Sequence, residues 1–247
     1  MKRVYETNEN SEINENMKDH ASYPEPPKIE ASLDLCLYIE RYLYTAAISD
    51  SLDELGLRRQ AMREYLRPIY PHCRFAGWAR TIACTDVYHI PQDPYGREIE
   101  AVDSILPGEV VVVSTQQSQR NAPWGELLST AAKARQARGA VIDGLVRDIK
   151  KIEALGFPVY AAGIKPLDSK GRGIVMDYNI PVECGEVLVN PQDLIVADED
   201  GVVVIPRAVV EEAVQLAIEK VARENDSRAE LMQGAFLRDV YNKYGVL

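Results

Sequence analysis

A chain of 247 residues, 46% hydrophobic and 27% charged, can bury one substantial core, and its formal charge of −10 excludes the clustered basic face of a nucleic-acid binder. No stretch is apolar for long enough to span a bilayer, and Met1–Glu6 opens no signal-peptide core. Three scattered histidines (His20, His72, His89) and four cysteines (Cys36, Cys73, Cys84, Cys184) without CxxC spacing exclude a zinc site; the cysteines read as reduced thiols of a cytoplasmic protein, and any metal is left to hard oxygen ligands.

In chain order, residues 1–30 read as a flexible acidic arm: Glu6 to Lys18 is rich in Asn and Glu, and Tyr23-Pro24-Glu25-Pro26-Pro27 cannot continue a helix. Residues 31–247 read as a single α/β domain with a C-terminal helical tail. Apolar spacing over 32–56 predicts two short helices, or one broken near Ser49-Asp50-Ser51, with Gly56 as the stop. Residues 75–84 alternate as a strand does. Ile99 to Ile105 leads into a turn at Pro107-Gly108, and Val110 to Val113 is a buried strand. Residues 126–137 are strong helix formers; a strand is expected over 139–146, a helix over 149–155 closed by Gly156, and a strand over 157–161. This β-α-β-α-β rhythm predicts parallel pairing. Short strands at 187–189, 194–197 and 202–205 follow, separated by Asn190-Pro191-Gln192-Asp193 and Asp198-Glu199-Asp200-Gly201, both with hairpin chemistry. A helix from Arg207 to Arg223 and a polar tail end the chain.

One constellation carries chemistry. Gly125-Glu126-Leu127-Leu128 opens a helix whose first amides favour an anion, and Arg147-Asp148 ends the 139–146 strand, where ligands of α/β sheets collect. Backbone amides near 126–128 and the Arg147 fork can grip a carboxylate, while Asp148 ligates Mg²⁺ or Mn²⁺ and Glu126 holds a coordinated water. Each residue also has an ordinary reading: Asp148 as the N-cap of the next helix, Arg147 as a surface cation or a partner of Asp143, Glu126 as a favourable first-turn acid.

The combination resembles the family of regulator of ribonuclease activity A, which includes class II aldolases of 4-hydroxy-4-methyl-2-oxoglutarate and 4-carboxy-4-hydroxy-2-oxoadipate. The resemblance covers about residues 32–235 and is carried by an acidic residue, twenty intervening positions and Arg-Asp, with further matches at Ser49 to Asp53, Leu155 to Ala161, Asn179 to Val182 and Asp198 to Pro206. It implies an α-β-β-α sandwich with mixed parallel and antiparallel sheets, assembled as a homotrimer or hexamer. It makes Arg147 the substrate-binding arginine, Asp148 the metal ligand and Glu126 the water-holding acid, where the aldolase motif has aspartate. The motif variant with an acid three positions beyond Asp148 meets Lys151 here. A glutamate of a neighbouring subunit approaches the metal waters in the family, and Glu224 is the candidate, with Glu230 behind it. Gln192 stands where glycine is usual between Pro and Asp.

The implied activity is cleavage of 4-hydroxy-2-oxo diacids to pyruvate through a metal-stabilised enolate, with oxaloacetate decarboxylation alongside. The small 2-oxo acid is the partner, and neither nucleic acid nor membrane is expected. The basic loop Lys165 to Arg172 could meet a second carboxylate, although a solvated loop is the ordinary reading. A non-catalytic, protein-binding regulator of RNA processing is the alternative within the same family.

Overall fold

The computed structural model describes residues 34–246, so the acidic arm falls outside the described residues. Asp34 starts α1 (Leu35–Tyr42) by accepting from the amides of Cys36 and Leu37 at 2.9 and 3.3 Å. The expected break comes earlier than Ser49-Asp50-Ser51: Leu43 and Tyr44 are extended, and α2 (Thr45–Glu54) begins after them. The cause is tertiary. The amide and hydroxyl of Thr45 both donate to the Asp198 carboxylate, at 2.7 and 2.6 Å, which pins the start of the second helix, while Ser51 settles inside that helix by donating to the Ala47 carbonyl.

A short strand, β1 (Arg67–Pro68), precedes β2 (Phe75–Asp86), a 12-residue strand that organises the molecule. β2 is buried almost throughout because both of its faces are covered, so the alternation seen in its sequence does not mark an exposed face. The next segment forms α3 (Gly96–Asp103), a helix with only Ala101 and Val102 buried and hence a thin apolar stripe. Then come β3 (Glu109–Ser114), α4 (Glu126–Ala134), β4 (Gly139–Val146), α5 (Ile149–Leu155) and β5 (Val159–Ile164). α5 ends as expected: Gly156 takes φ +65°, a left-handed turn that glycine adopts without a Cβ penalty. β2, β3, β4 and β5 are neighbours and run parallel.

The chain then turns antiparallel. β6 (Gly173–Tyr178) pairs with the second half of β2, and β7 (Val182–Cys184) with β8 (Val187–Val189) makes a separate two-stranded sheet. β9 (Leu194–Asp198) and β10 (Gly201–Ile205) extend the main sheet from the first half of β2. Glu199-Asp200 is the expected hairpin turn between them. The 190–193 turn is not a hairpin, because β8 and β9 belong to different sheets and the turn carries the chain from one to the other. Gln192 there adopts φ +69°, the conformation glycine would supply freely, and its side-chain amide donates to Glu109 at 3.1 Å.

The C-terminal helix is longer than expected: α6 spans Val210–Met232, and the tail folds as α7 (Leu237–Tyr244). Three apolar layers separate the elements. One lies between α3, α4 and α5 and the parallel strands, one between those strands and the β7–β10 region, and one between β9, β10 and the helices α1, α2 and α6. This is the α-β-β-α sandwich, built largely from one sheet that folds over along β2. Among the described residues no helix is long and apolar enough to cross a membrane.

Candidate functional site

The loops that follow the carboxyl ends of β2, β3, β4 and β5 meet at one cleft, the position where α/β sheets gather ligands. Its volume is about 330 Å³ and its walls include Gly125 to Leu128, Arg147 and Asp148, so these expected site residues lie in one place, while Glu224, Glu230, Lys165 and Arg172 do not line it.

The convergence has a local cause. Trp124 bridges to Val146 at the end of β4 and its carbonyl accepts from the Arg147 amide at 3.0 Å, which lays the 124–125 segment beside the Arg-Asp pair. Trp124 is buried and donates to Ser129 at 2.9 Å; Ser129 donates in turn to the Gly125 carbonyl, fixing the entry to α4. Gly125 permits the contact. A Cβ there would lie 2.8 Å from Asp148 Oδ2 and 3.1 Å from Arg147 Cγ. The amides of Leu127 and Leu128, in the first turn of α4, have no acceptor among the described residues and remain available to an anion.

Asp148 precedes α5 at the capping position, yet its side chain makes no capping bond. Its backbone is left-handed, φ +63° and ψ 33°, a conformation uncommon outside glycine that aspartate tolerates better than most residues. The carboxylate instead accepts from the Glu126 amide at 3.3 Å and lies 3.8 Å from Arg147 Nε. Glu126, half-buried, accepts from the Thr130 hydroxyl at 3.3 Å. Asp148 and Glu126 offer carboxylate oxygens to this cleft, the donor type a hard cation takes, and among the described residues no three acidic, thiol or imidazole side chains are grouped as a metal cage.

Arg147 does not pair with Asp143, which is buried and accepts from the Tyr65 hydroxyl at 2.7 Å. Its partner is Asp168, in the loop after β5, with Nη2 3.1 Å from Oδ1. The other Asp168 oxygen accepts a short hydrogen bond from the Tyr95 hydroxyl. Burial opposes the charge of Asp168, but the Tyr95 hydroxyl, Arg147 and the amides of Ser169 and Lys170 together hold its carboxyl below the usual range. The loop read from sequence as solvated, with cations that could meet a second carboxylate, sends an acid, Asp168, to the cleft. Lys165 is spent on the Gln119 carbonyl at 2.7 Å and Arg172 on the Asp168 carbonyl at 3.1 Å.

Tyr95, Glu98 and Asp168 were not legible as site residues; the only trace was a single acid within a run of cations at Lys165 to Arg172. Glu98 reaches the cleft from α3 without a hydrogen-bond donor among the described residues. Its carboxyl is pushed up to about 7, first by burial and then by Asp168, with Arg147 opposing. A folded-state value raised above the ordinary 4.5 means that stability from this group is full below that value and declines as pH rises towards about 7. Glu98→Gln is therefore expected to stabilise the protein more at pH 8 than at pH 5, by roughly 1 to 2 kcal/mol after discounting for partial exposure, in urea titrations at the two pH values. An equal difference at both would show that burial of this carboxyl carries no such cost.

Glu224 lies on α6, 3.6 Å from Lys220, and lines a separate hollow with Ser227, Arg228 and residues of α7. Within one chain it is not brought to the cleft. Glu230 is committed to Lys243 and to the Tyr244 hydroxyl.

A family model described as RraA-like, Aldolase/RraA, matches residues 45–204. A protein of Halalkalibacterium halodurans, provisionally named a 4-hydroxy-4-methyl-2-oxoglutarate aldolase, is 34% identical over 182 residues, covering 74% of this chain and 81% of its own. The solved RraAS2 of Streptomyces coelicolor, described as an unusual member of the RNase ES inhibitor RraA protein family, is 30% identical with a TM-score of 0.68, over 75% of this chain and 91% of that one. An uncharacterized protein of Pseudomonas syringae pv. tomato superposes with a TM-score of 0.71 at 26% identity, over 81% and 92% of the two chains.

Proposed function

The chain belongs to the RraA-like family, and from that premise we propose that it is a divalent-metal-dependent class II pyruvate aldolase. Its substrates are 4-hydroxy-2-oxo diacids of the 4-hydroxy-4-methyl-2-oxoglutarate type, and oxaloacetate decarboxylation accompanies the cleavage. The observation that supports this reading is the meeting of the Arg147 guanidinium, the Asp148 carboxylate and the open amides of α4 in one cleft.

Arg147 and the amides of Leu127 and Leu128 bind the carboxylate of the 2-oxo acid and set its orientation. Asp148 would hold Mg²⁺ or Mn²⁺, with Glu126 acting through water, and the ion would supply Lewis-acid polarisation of the 2-oxo group. Glu126 orients the water that takes the C4 hydroxyl proton. C4 then becomes a carbonyl, the C3–C4 bond breaks, and its electron pair collects as the pyruvate enolate, which gains a proton at C3 to give pyruvate. In oxaloacetate the same bond breaks with loss of CO₂ and leaves the same enolate. In a homotrimer or hexamer with clefts at subunit boundaries, Glu224 of the partner subunit would be the further acid toward the cation.

Pyruvate release from a panel of 4-hydroxy-2-oxo diacids and from oxaloacetate, with Mg²⁺ or with a chelator, tests the reading. Turnover that needs the metal is expected. Equal rates with chelator, or no pyruvate from any member, would overturn it and turn attention to a protein partner in RNA processing.

A further inference from the structure

Arg147 stands between two acids. Its Nη2 is 3.1 Å from Asp168 and its Nε is 3.8 Å from Asp148, the carboxylate assigned above to the cation. An arginine drawn fully onto Asp148 would neutralise that carboxylate and turn its fork away from the substrate. Asp168 is placed to prevent this from the opposite side. It is itself braced twice, by the Tyr95 hydroxyl on one oxygen and by Arg172 on its backbone carbonyl, and its loop is tied by the amides of Arg172 and Gly173 to the Ser169 carbonyl at 2.7 and 2.8 Å.

We propose that Asp168, braced by Tyr95, is a positioning residue that holds the Arg147 guanidinium off Asp148 and aimed into the cleft. Asp168 then governs both carboxylate binding and cation binding while touching neither ligand. The inference rests on the aldolase reading for the roles of Arg147 and Asp148, and a guanidinium acting as a rigid, directional fork is what makes its aim matter.

The test uses the full chain and reads binding directly: Mn²⁺ affinity by the electron paramagnetic resonance signal of the free ion, and oxalate, a stable mimic of the pyruvate enolate, by calorimetry. Asp168→Asn is expected to weaken both by about tenfold, and Tyr95→Phe by about threefold in the same direction, with the double variant no worse than Asp168→Asn alone, as for groups acting in one chain. The deciding comparison is made on Arg147→Met. With no guanidinium to aim, adding Asp168→Asn should change Mn²⁺ affinity by less than about twofold.

The proposal is overturned if Asp168→Asn weakens Mn²⁺ equally with and without Arg147, since Asp168 would then act as a ligand or through general disruption of the site. Unchanged binding in Asp168→Asn overturns it as well. If the unaltered protein binds no Mn²⁺, the metal part of the aldolase reading fails instead, and the oxalate series still reports whether Asp168 aims Arg147. Should Asp168→Asn fail to fold, Tyr95→Phe in the presence and absence of Arg147 gives the same comparison.

Discussion

Asp148→Asn is expected to lower metal-dependent pyruvate release by about a thousandfold or more while leaving the fold intact. Asparagine is the informative replacement because residue 148 is left-handed, at φ +63°, a conformation that asparagine tolerates and alanine resists. The amide oxygen can still accept from the Glu126 amide, so the junction of α4 with the β4–α5 turn keeps its hydrogen bond. What disappears is the negative charge that would hold the cation. Kinetics at saturating Mg²⁺, with a thermal midpoint measured alongside, separate loss of function from loss of fold. Activity within tenfold of the starting protein would remove Asp148 from the machinery.

The second large effect concerns stability. Arg80→Ala is expected to cost about 3 to 5 kcal/mol at pH 7, because it strands the Glu109 carboxylate, only 3% exposed, in the core. Arg80 donates to Glu109 through Nε at 2.9 Å and Nη2 at 3.2 Å, and to the Ser104 carbonyl at 2.9 Å. The remaining donors to Glu109, the Leu106 amide at 2.8 Å and Gln192 at 3.1 Å, carry no charge and cannot replace the guanidinium. This network ties β2 to the turn before β3 and to the 190–193 turn, so the loss is felt across the sheet. Urea unfolding at pH 7 measures this. A cost below about 1 kcal/mol would mean that the pair adds little.

Elements fixed by local pattern were legible in the sequence. β4 and α5 fall on the predicted residues 139–146 and 149–155, because an apolar run broken only by Asp143 and a terminal glycine specify them without help from distant residues. The Arg-Asp pair at the end of that strand was legible for the same reason, and with it the side of the sheet on which the cleft opens. Features set by contacts far along the chain were not. The break between α1 and α2 depends on Asp198, some 150 residues away, and the 190–193 turn resembles a hairpin because nothing local reveals that β8 and β9 join different sheets. Asp168 and Tyr95 are separated by 73 positions and meet only because the segments that follow β2 and β5 both reach the same cleft. Their individual chemistry, one acid in a basic loop and one tyrosine among 13, gave no local sign of the contact.

In the proposed reaction Arg147, Asp148 and the start of α4 serve one cation and one 2-oxo acid together. Crystals grown with Mn²⁺ and oxalate test that most directly through the anomalous scattering of manganese. The expected result is a peak bonded to a carboxylate oxygen of Asp148, with oxalate bridging it to the Arg147 guanidinium. Manganese bound elsewhere, or oxalate that leaves Arg147 untouched, would contradict it.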